Sequence, residues 1–314
     1  MDFPTLYRNV MLGTADAPFV RAFLTRHGWR LGVGRFVAGE DLPAALPALR
    51  EIEASGRSLI LDVLGEFVES EEAARATAAR IEEAVEQAAA AGVRPCFSVK
   101  PTQLGLGVGS ELAYELGSHV ACAVQRHRGA LCLDMENVPY LDRTLELYER
   151  LRRDGHHHVS TVLQSYLHRT PDDLERVIAL AAEEGQGPTE LRLVKGAYRD
   201  APEVAFQERA QIEDAYRELA YRALEAGLKL NVATHDEALL RELLAYVRGA
   251  KLGAERYEVQ MLFGVRNGLQ ERLAAAGHPV RVYVPFCDDW YGYYSRRLAE
   301  RPGNLAFVVR GMFG

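Results

Sequence analysis

The chain reads as an α/β protein, a (β/α)8 barrel with an N-terminal helical extension, on three observations. Eight short apolar runs are bounded by turn or polar residues, the mark of buried parallel strands. Helix-period stretches separate the runs, so strand and helix alternate eight times. A length of 314 residues suits one such barrel as a single unit. Right-handed crossovers also allow an open doubly wound sheet, but eight units in a row favour closure.

In order, the runs are SLILDVL (58 to 64), PCFSVK (95 to 100), ALCLDM (130 to 135), VSTVLQSYL (159 to 167), ELRLVKGAY (190 to 198), LKLNVATH (228 to 235), RYEVQMLF (256 to 263) and VRVYVPF (280 to 286). EEAARATAARIEEAVEQAAAAG (71 to 92) is one helical spacer. A second, PEVAFQERAQIEDAYRELAYRALEAG (202 to 227), opens on proline and closes on glycine, which predicts a helix from Pro202. Residues 1 to 50 carry apolar helical patterns, PFVRAFLTRHGWRLG and the start of DLPAALPALREIEA. They predict a helical arm (1 to 50) packed on a barrel domain (51 to 314). WYGYYSRRLAER (290 to 301) is helical in pattern: Trp290, Tyr291, Tyr294 and Leu298 share an apolar face, and Tyr293, Arg296, Arg297 and Glu300 share another.

Composition narrows the function classes. With 48% hydrophobic and 26% charged residues the chain buries a sizeable core and is not mainly disordered. A balance of 37 basic and 44 acidic residues, net −7, argues against an extended nucleic-acid footprint and leaves room for a local basic pocket that takes a small anion. Four cysteines with no CxxC spacing read as reduced thiols of an intracellular protein. The start has no secretory pattern, and no run reaches the ~18 apolar residues of a spanning helix, so membrane contact is expected to be peripheral. LGVGRF and GLGVGS do not stand between strand and helix as GxGxxG, and no phosphate-loop motif occurs. His156, His157 and His158 lack ligand spacing and read as a loop run, so no metal is expected.

Barrel active sites lie where strands end and the following loops begin. Polar residues gather there: Glu66, Lys100, Asp134 with Glu136, Gln164, Arg192 with Lys195, Thr234-His235-Asp236, Gln260 and Tyr283. Any one of them alone reads as a turn cap; repetition on strand after strand points to a shared mouth. Lys100 and Asp134 end adjacent strands about 5 Å apart, which predicts an ion pair, either a plain salt bridge or a cation aimed at an anionic substrate. Arg296 and Arg297 beside Tyr293 suit bidentate capture of a carboxylate with a ring over its apolar neighbour; the other reading is a solvated face with Arg296 on Glu300. His235 beside Asp236 suits acid–base work or a hydrogen bond to a cofactor phosphate or ribose.

With these residues in place, the chain resembles the flavin-dependent proline dehydrogenase family, in its short, single-function bacterial form. The resemblance runs in family order through LDVLGEFV, FSVKPTQLG, LDMEN, LQSYL, LRLVKGAY, NVATHD, EVQMLFGVR and YVPFCDDWYGYYSRRLAERPGN. LRLVKGAY with the closing YxxRRLxE is its specific pair. It implies a distorted (β/α)8 barrel whose last helix lies over the mouth, and a bound FAD. By the same resemblance Lys100, Arg296 and Arg297 hold the proline carboxylate, Tyr283 and Tyr293 wall the ring, and Leu193 touches it. Arg192 and Lys195 lie near the flavin, and Met135, Gln164, Val194, Gly196, Ala197, Thr234, His235 and Glu300 complete the FAD site. Glu66 pairs with Arg296 in a closing gate. The family's catalytic assignment falls on Asp134 and Arg192, although Asp134 reads physically more as the orienter of Lys100. The first fifty residues carry little resemblance and receive no role.

The implied reaction is oxidation of L-proline to 1-pyrroline-5-carboxylate, the first step of proline catabolism, with a hydride passed to flavin N5 and a membrane quinone as acceptor. A cytoplasmic enzyme peripheral to the inner face of the plasma membrane is expected. The cyclic amine must be neutral, so activity should rise with pH. Two other readings stay open: a Schiff-base lyase with Lys100 or Lys195 as nucleophile, and a non-catalytic barrel that binds an amino acid through the arginine pair.

Overall fold

The structure, a computed structural model, describes residues 18–65, 67–185, 189–198 and 200–300. Eight parallel strands close into a barrel in chain order: β1 (Ser58–Val63), β2 (Cys96–Val99), β3 (Ala130–Leu133), β4 (Val159–Gln164), β5 (Glu190–Val194), β6 (Lys229–Ala233), β7 (Tyr257–Leu262) and β8 (Val280–Phe286). β8 pairs back onto β1 from Ser58↔Arg281 to Val63↔Phe286, which excludes the open sheet. The connecting helices are α3 (Glu71–Ala90), α4 (Ser110–Arg126), α5 (Leu141–Arg153), α6 (Thr170–Glu184), α7 (Arg209–Glu225), α8 (Glu237–Gly249) and α9 (Asn267–Ala275), preceded by α1 (Pro18–His27) and α2 (Leu42–Ala54) and followed by α10 (Tyr291–Glu300).

Strand alternation divides two environments. Leu59, Leu61, Phe97, Val99, Leu131, Leu133, Leu191, Leu193, Leu230 and Val282 face the apolar sides of the helices in the main core. Inside the barrel only a small apolar cluster remains, Ile60, Cys96, Cys132 and Val162 with Val194 and Tyr283 against it. Many of the other interior positions are polar, among them Asp62, Ser98, Ser160, Gln164, Arg192, Asn231, Glu258, Gln260 and Arg281. The histidine run is a turn leading into β4, with His158 Nε2 2.9 Å from the Ala121 carbonyl. All four cysteines are unpaired.

One expectation gives way. The helix expected from Pro202 begins at Arg209. Residues just before it tie to the segment after β4: Ala205 bridges Leu167, and Phe206 N–H donates to the Tyr166 carbonyl at 2.7 Å. Backbone groups engaged there cannot join a helical ladder. Residue 50 lies within α2, whose buried Leu42, Ala45, Leu49 and Ile52 join the same core as the strands.

The arm also has a packing role. Ala38 N–H donates to the Pro285 carbonyl and Cys287 N–H to that of Gly39, so the chain before α2 runs along the end of β8. Trp290 is buried edge-on to Trp29 at 6.3 Å, over Gly28, where any Cβ would strike the indole. Tyr294 OH donates to the Leu31 carbonyl at 3.0 Å. These contacts seat α10.

Candidate active site

The polar interior is organised as four ion pairs: Lys100–Asp62 at 3.2 Å, Arg192–Asp134 at 2.6 Å, Lys229–Glu190 at 2.7 Å and Arg281–Glu258 at 2.5 Å. Each of these four described cations is matched by a carboxylate, which is how charge is tolerated away from water. The two pairs nearest the C-terminal strand ends involve the residues singled out from sequence.

Arg192 reaches from β5 across the lumen. Its Nη1 donates to Asp134 Oδ1 at 2.6 Å and to Ser98 Oγ at 3.0 Å, and its Nε to Gln260 Oε1 at 2.6 Å. Its Nη2 is buried with no hydrogen-bond partner among the described residues. Asp134 is engaged three times over, by Arg192, by Ser98 Oγ at 2.7 Å and by Tyr283 OH, which donates to Oδ2 at 2.8 Å. The expected Lys100–Asp134 pair is therefore replaced. Lys100 stands between carboxylates on both neighbouring strands, and Asp134 is occupied by the guanidinium crossing from β5, so the ammonium pairs with Asp62 on β1. Asp134 orients Arg192 and Tyr283 rather than Lys100.

Asp62 is not among the strand-end residues read from the sequence, because on that strand the polar residue past the end is Glu66. The available signal was a lone carboxylate inside SLILDVL, on the same alternation face as Ile60. Burial lifts its carboxyl above the usual range; Lys100 pulls the other way and Asp134 adds to the rise. Burial likewise pushes the Tyr283 phenol well up, reinforced by Asp134 and Asp62, so it remains a donor. Burial alone would weaken the charge on Arg192, but the anionic surroundings that include Asp134 outweigh it. The guanidinium also lies 5.4 Å over the Tyr283 ring.

The loops after β4, β5 and β6 build the adjoining wall. Lys195 Nζ donates to Glu213 Oε1 at 2.7 Å and Asp236 Oδ2 at 2.9 Å. Asp236 also caps α8 through Ala238 N–H and Leu239 N–H; the Lys195 hydrogen bond leads in holding its carboxyl well below the ordinary range. His235 Nε2 accepts from Leu262 N–H at 2.9 Å, so in the neutral ring the proton sits on Nδ1. Thr234 Oγ1 accepts from Asp236 N–H, and buried Gln164 donates to the Glu136 carbonyl at 3.0 Å. Gly196 has φ +117°, and a Cβ there would collide with the Tyr166 ring. Val194 faces the barrel interior, half-buried Met135 packs against the interior cluster, and Ala197 is exposed. Leu193 departs from expectation. It alternates out of phase with Arg192 and Val194, lies in the main core between sheet and helices, and its carbonyl accepts from Tyr216 OH at 2.8 Å.

On α10 the two predicted faces separate. Trp290, Tyr294 and Leu298 are buried, while Tyr293, Arg296 and Arg297 are half-buried, and so is Tyr291, which was expected on the apolar face. The Arg297 guanidinium lies 5.3 Å over the Tyr293 ring. Glu66 lies outside the described residues, as does the Glu300 side chain, so the expected gate and that cofactor contact are not part of this geometry. No group of three or more potential metal-ligating side chains occurs among the described residues.

Comparison with known proteins bears on the family and the fold. A family model described as proline dehydrogenase matches residues 45–310. The proline dehydrogenase of Deinococcus radiodurans is 39% identical over 311 residues, covering 98% of each chain. Proline dehydrogenase 2 of Bacillus subtilis (strain 168) is 33% identical over 305 residues, covering 97% of this chain and 98% of the relative. Among solved structures, proline utilization A (PutA) of Bdellovibrio bacteriovorus, inactivated by N-propargylglycine, superposes with a TM-score of 0.78 at 23% identity, over 85% of this chain and 32% of that longer one, a likeness of fold. By family match and near full-length identity, the chain belongs to the proline dehydrogenase family.

Proposed function

We propose that this protein oxidises L-proline to 1-pyrroline-5-carboxylate on a bound FAD and hands the electrons to a membrane quinone, as a cytoplasmic enzyme meeting the inner face of the plasma membrane peripherally. Family membership supports the substrate. One observation carries the cofactor: Arg192 is fixed on two sides, and its buried Nη2 has no partner among the described residues. A buried donor of this kind calls for an acceptor, which a flavin ring offers. Gly196 fits the same group, since a bare backbone lets a ligand approach closely.

In this reading Arg192, Lys195, Met135, Gln164, Val194, Gly196, Ala197, Thr234, His235 and Glu300 hold FAD, which when bound supplies the two-electron acceptor. Lys100, Arg296 and Arg297 grip the proline carboxylate, Tyr283 and Tyr293 wall its ring, and Glu66 with Arg296 closes the site against water. Asp134 keeps Arg192 and Tyr283 in register. The amine must shed its proton before the carbon–nitrogen bond is oxidised, so the rate rises with pH. Lys100 and Lys195 both act as ion-pair donors, which suits positioning better than covalent attack.

The test is optical. Purified protein should show flavin absorbance in the visible, bleached by L-proline without oxygen and restored by a soluble quinone. A colourless protein trapped by borohydride with a carbonyl substrate would replace this reading with a lyase, and a colourless inert one with a binding protein.

A further inference from the structure

Beneath Arg192 a polar column runs down the barrel interior. Arg281 on β8 clamps Glu258 through Nε and Nη2 at 2.5 and 2.9 Å, and its Nη1 donates to the Leu59 carbonyl at 3.1 Å. Gln260, two residues along β7 on the same face, donates from Nε2 to Glu258 Oε1 at 3.0 Å and accepts the Arg192 Nε–H on Oε1 at 2.6 Å. Gln260 and Glu258 are both buried. Neither end of this amide is free to choose. A guanidinium only donates, so the Gln260 oxygen must face Arg192. The amide nitrogen then needs an acceptor on the other side, and the Glu258 carboxylate, neutralised by Arg281, provides it.

The consequence reaches the third edge of Arg192. A guanidinium is a rigid planar fork, and bonds at two of its nitrogens fix the plane and hence the direction of the third. Gln260 holds Nε, while Asp134 and Ser98 hold Nη1. The buried Nη2 is thereby aimed without freedom of its own.

We propose that Gln260 is a positioning residue which, through Arg192, sets the electron affinity of the bound flavin; this rests on the flavin reading above. A cation fixed beside the ring stabilises the negative charge gained on reduction, and a cation that can swing away does so less. Gln260 itself touches Arg192 rather than the reacting atoms.

The experiment uses the purified holoenzyme and Gln260→Met, which keeps the length of the side chain and removes both its acceptor and its donor. With flavin still bound, the midpoint potential should fall by about 30 mV, the two-electron equivalent of a tenfold change in equilibrium. Sulfite, an anionic probe of flavin electron affinity, should bind roughly tenfold more weakly by the same equivalence. If that variant does not fold, Gln260→Ala, which likewise leaves Arg192 Nε without its side-chain acceptor, should lower both quantities in the same direction. A folded, yellow variant whose potential and sulfite affinity match the parent, even with a lower melting temperature, assigns Gln260 a structural role only and overturns the inference. A colourless parent protein instead removes the flavin reading itself, so the two failures are distinguishable.

Discussion

At the scale of single residues, the site is a matter of which partner each charge takes. Arg297 lies over the Tyr293 ring on a helix whose other face is buried, so its guanidinium is held by stacking. Arg297→Met should raise the Michaelis constant for L-proline by about tenfold to a hundredfold, the equivalent of one lost charge-assisted hydrogen bond at ~1.5–3 kcal/mol. Flavin absorbance should be unchanged; an unaltered constant would take the residue out of the carboxylate clamp. Lys100, Asp134, Arg192 and Tyr283 were legible as strand-end polar residues because side chains alternate with period two. The same alternation exposes Leu193 as misplaced, since it is one residue from Arg192 and must face the other way. Asp62 was hidden by its setting, a single carboxylate in an apolar run whose partner is 38 residues away.

Among the elements, α10 and the arm depend on each other. The last helix has one apolar face, and α1 with the turn after it supplies the surface that face needs: Trp29, the bare backbone of Gly28 and the Leu31 carbonyl. Trp290→Ala should cost about 3–5 kcal/mol of stability, as large-to-small core changes do. Because Arg296 and Arg297 ride on the same helix, it should also raise the Michaelis constant for proline. Denaturant melts and steady-state kinetics on the one variant read both; a stability loss with an unchanged constant would separate the seat from the clamp. Most of the buried face of α10 was legible from spacing alone, Tyr291 being the exception. The start of α7 was not, because the segment from Pro202 trades its helical ladder for hydrogen bonds to the strand β4 exit, a contact no local pattern announces.

Across the whole molecule, buried histidines contribute to the response to mild acid. His156, His158 and His278 are each held below the ordinary imidazole range, with burial the leading cause. The folded chain thus binds fewer protons there than the unfolded one, so stability is full above the unfolded value near 6.5 and is lost as pH falls through it. Melting temperature should drop between pH 8 and 5.5, and His158→Gln should remove part of that drop; a variant with the parent's full pH response would show that His158 does not contribute.

The alternation of eight apolar runs with helical spacers was enough to favour a closed barrel over an open sheet and to collect the polar strand ends at one rim, because both follow from local periodicity and from the packing each period demands; the β8–β1 pairing settled closure. Partner choice inside the lumen was decided only when the cylinder closed. Closure carried Arg192 from β5 to Asp134 beside β3, which sent Lys100 to Asp62 and set Gln260 beneath the guanidinium. Such choices compare carboxylates on both sides of each cation, and charges that share a water-poor interior settle as a set rather than pair by pair.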